Sequence, residues 1–188
     1  MTLTTIDPVP ALVVIDLQQG IVSAHTEGSG SAVVAQAARL AAEFRRHGLP
    51  VILVNVTGRA PGRTEAGGSR SIAALPAGWA DLVDELDVRP TDHLITKRRR
   101  SAFHDTGLDT LLRDLGVTQL VLAGISTSAG VESTARSASD HGYHVVLATD
   151  AMSDPDADAH RHSIGHVFPK LGETATTDEI ITKVEAAR

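Results

Sequence analysis

Short, largely apolar runs recur along this chain, and each is followed by a helix-length segment. The first run, Ala11 to Ile15, shows no polar alternation, which is the pattern of a strand buried on both faces. Similar runs fall at 51–56, 93–96, 119–123 and 145–148. Between them, Val34, Ala37, Ala38, Ala41 and Phe44 recur at helical spacing within 31–47, and Gly48 and Pro50 stop that helix. Further helices are expected at 79–86, at 108–115 before Gly116, at 130–141 and at 156–167. A last one carries Ile180, Ile181 and Val184 behind a Thr176/Glu179 capping box. Strands alternating with helices imply a parallel sheet with helices on both faces. The expected fold is α/β, a three-layer α/β/α sandwich with a mostly parallel, about six-stranded Rossmann-like sheet. Residues 1–188 read as a single domain, without repeats or a linker. Residues 58–78, rich in Gly, Arg, Ser and Pro, read as a long functional or mobile loop.

Composition excludes several classes of function. Apolar residues make up 42% and charged residues 21%, and the apolar runs are strand-sized, so no membrane partner is expected. The N-terminus has neither a basic segment nor an apolar core of signal-peptide type, and a cytoplasmic protein is expected. A net charge of −6 argues against a nucleic-acid partner. The absence of cysteine excludes disulfides, thiolate metal sites and thiol catalysis. The basic run Lys97–Arg100 reads either as a solvated loop or as a docking patch for an anionic substrate.

In such sheets, ligands bind at the carboxyl ends of the strands. Asp16 ends the first strand, Lys97 ends the third, and the fourth runs into the turn of QLVLAGISTSAGVESTAR, residues 119–136. An Asp at a strand end is often a turn cap, and a lone Lys there is often surface decoration. Together, the three positions resemble the isochorismatase-like superfamily. Gly124, Ile125 and Thr127 match its GIxT turn, and Val131, Thr134, Arg136 and Ala138 match the helix after it. Asp16-Leu17-Gln18 and Lys97 with Ser101-Ala102-Phe103 match the flanking elements. The resemblance covers roughly residues 10–154. It implies an Asp–Lys–Cys site, yet the seat of the Cys holds Gly130. Members that cleave a vinyl ether to release pyruvate carry Gly there and need no nucleophile.

By that resemblance Asp16 would be the acid, Lys97 would orient it or bind a substrate carboxylate, and Gly130 would leave room for the substrate. A hydrolase acting on a small, anionic metabolite is implied. The alternatives are an amide or ester hydrolase with Asp16 as base on water, and an idle binding or scaffold protein of the same fold. The resemblance also implies a cis peptide at Ile125–Ser126. Gln19, Arg59, Arg100, Phe103, Ser126 and Ser128 are candidate substrate contacts, with Arg63 a further one in the long loop. For Ser126, Thr127 and Ser128 a structural turn role is favoured, since none occupies the seat of the Cys, and Phe103 reads almost as well as core. No cofactor and no metal are expected: there is no HExxH motif, and His160, His162 and His166 read as a helix face. A homodimer or higher homo-oligomer is expected. An unperturbed Asp, with pKa about 3.9, is protonated in roughly one molecule in a thousand at pH 7. An acid role therefore needs burial. If the second strand lies between the first and third, Lys97 must also reach across about 10 Å.

Overall fold

The computed structural model describes residues 3–24, 29–65 and 75–188. Six strands form one parallel sheet: β1 Pro10–Ile15, β2 Val51–Val56, β3 His93–Lys97, β4 Gln119–Ile125, β5 His144–Ser153 and β6 Glu173–Ala175. Their order is β3-β2-β1-β4-β5-β6. The chain winds outward from β1 to one edge, returns to β4 and winds to the other. The crevice therefore opens between the carboxyl ends of β1 and β4.

The helices are α1 Gln19–Val22, α2 Ser29–Arg46, α3 Leu108–Asp114, α4 Glu132–Asp140, α5 Ala157–His162 and α6 Thr177–Ala186. Every residue of β1 is buried, and successive side chains feed opposite layers. Leu12 and Val14 pack with Ala37, Leu40 and Phe44 of α2 and with Ile180 and Val184 of α6. Ala11, Val13 and Ile15 pack with Leu108 and Leu112 of α3 and with Ala135 and Ala138 of α4. This is the expected three-layer sandwich.

Several elements differ from the sequence reading, each for a local reason. Residues 79–86 do not form a helix. Leu82 bridges Gln18, and the Val83 amide donates to the Leu17 carbonyl, which draws the segment out until a short 3₁₀ turn at Asp84–Leu86. The helix expected from Gly130 begins instead as one wide π turn, Thr127–Val131, and becomes α-helical at Glu132. Asp156 caps α5, which then widens into a π turn over Ser163–Val167 and tightens into a 3₁₀ turn at Phe168–Lys170. β5 runs past Ala148 because its pairing with β4 shifts: Leu122 faces Leu147, but Gly124 faces Met152. Much of the expected loop at 58–78 lies outside the described residues. The capping box is formed: Thr176 Oγ1 accepts from the Glu179 amide, and Glu179 Oε2 accepts from the Thr176 amide at 2.8 Å.

Candidate active site

Three features bring the strand ends together. Asp16 leaves β1 with φ +54, a left-handed conformation that Asp tolerates better than most residues, and this turns the chain at the mouth of the crevice. Beside it, Gly124 of β4 has φ +125, and a Cβ there would lie 2.0 Å from the Ile15 carbonyl oxygen. Only glycine lets β4 approach β1 this closely. The chain then passes through a cis peptide at Ile125–Ser126 into the π turn. Gln18, fully buried, bolts the exit of β1 to its surroundings. Its Nε2 donates to the carbonyls of Val56 and Trp79, and its Oε1 accepts from the Val56 amide at 2.8 Å.

β2 does lie between β1 and β3, and Lys97 spans it. Its Nζ is 2.7 Å from Asp16 Oδ2, with both side chains buried, and it also donates to the Arg99 carbonyl at 3.2 Å. Burial pushes the Asp16 carboxyl up from 3.8 to about 6, although the Lys97 charge and hydrogen bond pull it down. Among the described residues, Asp16 Oδ1 has no hydrogen-bond partner, though it is buried. Gly130 completes the arrangement. A Cβ there would lie 2.9 Å from Ile15 Cγ2, 3.2 Å from Asp16 Oδ2 and 3.6 Å from Lys97 Nζ. A glycine therefore leaves a slot, beside both charged groups, that any other residue would fill.

The slot opens into a cavity of about 670 Å³. Its wall carries Lys97, Arg59, Arg63, Arg99 and Arg100, with Asp16 the single acidic residue among those described. The two cationic loops touch. Arg99 Nη1 donates to the Arg59 carbonyl, and a Cβ on Gly58 would lie 2.7 Å from Arg98 Cβ. Trp79, whose ring lies against Gly20, supplies an aromatic surface beside Ile21 and Ala24.

The sequence model of the isochorismatase domain matches residues 10–179. The uncharacterized isochorismatase family protein YwoC of Bacillus subtilis is 39% identical over 180 residues, covering 93% of this chain and 94% of that protein. The chain belongs to the isochorismatase family. A solved structure of a family protein from Burkholderia thailandensis superposes with a TM-score of 0.91 at 40% identity, covering 96% of this chain and 98% of that one. The ureidoacrylate amidohydrolase RutB of Methylobacterium radiotolerans is 32% identical, over 86% of this chain and 74% of that protein. Family membership makes the chain an isochorismatase-family hydrolase in class, without naming its substrate. No helix among the described residues is long and apolar enough to cross a membrane.

Seven of the ten site residues expected from the sequence line this one cavity: Asp16, Lys97, Gly130, Arg59, Arg63, Arg100 and Ser126. The other three lie outside its wall. Gln19 is exposed at the start of α1, where its amide donates to the Asp81 carbonyl. Phe103 packs in the α3–α4 layer and stacks on His141 at 4.9 Å. Ser128 donates both its amide and its hydroxyl to Asp154 Oδ2, holding the π turn from behind. Thr127, also in that turn, meets His160 Nδ1 at 2.8 Å, while the rings of His162 and His166 stand 5.2 Å apart on the far side of α5 and the turn after it. Among the described residues no three His, Asp or Glu side chains are grouped to hold a metal ion. Arg99 lines the cavity as part of the basic run expected to dock an anion, whereas Trp79 had no role assigned from the sequence. Trp79 carried one signal, as the sole tryptophan in a chain with 3% aromatic residues.

Proposed function

We propose that the chain hydrolyses a small anionic metabolite by proton transfer at Asp16, without a covalent intermediate, and that isochorismate-type vinyl ethers lead as its substrates. The observation that carries this reading is the buried Asp16 carboxyl, raised to about 6 and set beside the slot at Gly130. At that value about one molecule in ten is protonated at pH 7, roughly a hundredfold more than for an unperturbed Asp. A general acid with a pKa near the working pH is the efficient kind. The proton passes from Asp16 to the methylene carbon of the enol ether, leaving an oxocarbenium ion. Water adds to that ion and its surplus proton returns to the Asp16 carboxylate. The hemiketal then collapses to pyruvate and the alcohol. Lys97 holds the carboxyl at Oδ2, the oxygen nearest the slot, and the guanidinium groups of the cavity wall favour carboxylates.

A second reading has its own support. RutB, a relative at 32% identity, is an amidohydrolase. On an amide or ester, ionised Asp16 would take a proton from a water in the slot and activate it as the nucleophile. Pyruvate release from isochorismate, followed with wild type and Asp16→Asn, tests the leading reading. Turnover that falls at least a hundredfold in the variant supports it. No turnover of isochorismate by wild type overturns it, and turnover of an amide then favours the second.

A further inference from the structure

Thr134 is a fully buried polar residue in the first turn of α4. Its Oγ1 donates to the Gly130 carbonyl at 2.7 Å, four residues back. Hydroxyl groups of helical Ser and Thr often bond back in this way, which leaves the oxygen free to accept. Here it accepts from the Ala102 amide at 3.0 Å, across from another element. Ala102 is itself buried, so its N–H has no access to water in exchange. One turn further along α4, Ser137 Oγ accepts from Ser101 Oγ at 2.8 Å. α4 therefore grips the loop after β3 at two successive residues.

That loop follows Lys97, the last residue of β3, and includes Arg99, whose carbonyl accepts from Lys97 Nζ. The Thr134 hydroxyl thus joins the slot at Gly130 to the loop that aims the ammonium group. We propose that Thr134 is a positioning residue: its hydroxyl sets the placement of the post-β3 loop against the Gly130 turn, and through it the contact of Lys97 with Asp16. The proposal rests on Asp16, Lys97 and Gly130 forming the reacting site. Replacing the hydroxyl with a methyl group leaves the Ala102 N–H without an acceptor. The loop then moves to find another, the Arg99 carbonyl moves with it, and Lys97 loses the group that directs it.

The test needs no substrate. The Asp16 carboxyl is followed by carbon-13 NMR as pH is varied, with its signal assigned by its absence in Asp16→Asn. Besides Lys97, the charged groups on the wall of the cavity it faces are the guanidinium groups of Arg59, Arg63, Arg99 and Arg100, and all are retained. In Thr134→Val, withdrawal of Lys97 leaves burial unopposed, and the Asp16 midpoint rises by about 1 pH unit or more. Thr134→Ser, which restores the hydroxyl, titrates as wild type. A purely structural role would lower the melting temperature of Thr134→Val and leave the midpoint in place. A folded Thr134→Val with an unchanged or lowered midpoint overturns the proposal, as does a Thr134→Ser that shifts as far as Thr134→Val. If Thr134→Val does not fold, Ser137→Ala takes its place, since it loosens the same loop one turn away. Its midpoint must then rise, and no rise overturns the proposal. Failure to turn over isochorismate would leave this titration unaffected, so the two outcomes are separable.

Discussion

A carboxylate next to an ammonium ordinarily titrates below its usual range, and Asp16 does the opposite because burial outweighs the contact with Lys97. Its folded value lies above its unfolded one, so the fold favours the protonated form. The stability this contributes is fully present below about 3.8 and is lost as pH rises through about 6. Wild type should therefore gain about 2 kcal/mol on Asp16→Asn between pH 7.5 and pH 4.5, read as the difference between their urea denaturation curves. A difference that is constant with pH would contradict the assignment. At Gly130, an added methyl must push Ile15 aside and fill the slot beside Asp16. Gly130→Ala should lose about 1–2 kcal/mol of stability and at least tenfold in kcat/KM, and full activity would show that the slot is unused. Asp16 and Lys97 were legible in the sequence because charge at the end of an apolar run stands out. The neighbours of Ser128 and Phe103 were not. Asp154 lies 26 residues from Ser128, and nothing local links Phe103 to His141.

At the scale of elements, periodicity located whatever is long and buried on one stripe or on both faces. β1, β2, β4, α2 and α6 all have that character, and the strand runs and helix cores appear close to where the sequence put them. The elements missed are those whose form depends on a distant partner. β6 is three residues long, too short to show a pattern, and exists by pairing with Val146–Ala148 of β5. The π turn at Thr127–Val131 has the composition of an α-helix start, and its width accompanies the side-chain bonds from Asp154 and His160. The contact between β4 and β1 is the one most open to test. Gly124→Ala combines a positive φ with a Cβ 2.0 Å from a backbone oxygen, so two central strands must part. It should cost about 3 kcal/mol or more in urea denaturation, or prevent folding. A loss below about 1 kcal/mol would mean that the strands are less closely set than described.

For the whole molecule, the strand order puts the one exit of β1 and the one exit of β4 at a shared crevice, and two loops bring arginines to it. The overall charge of −6 gives no hint of this, because the cationic wall is local. The pull of exposed guanidinium groups on a charged substrate is screened by salt, over about 10 Å at 0.1 M and about 3 Å at 1 M. Raising sodium chloride from 50 to 500 mM should increase KM several-fold with kcat nearly constant, and Arg100→Ala should reduce that dependence. A KM independent of salt would indicate a substrate without charge. Delivery of the proton by Asp16 is read from the pH profile of kcat/KM for pyruvate release from isochorismate. The rate should be level at low pH and fall tenfold per unit above about 6, with no such limb in the residual activity of Asp16→Asn. A rate that instead rises with pH through about 6 would contradict it and make Asp16 a base.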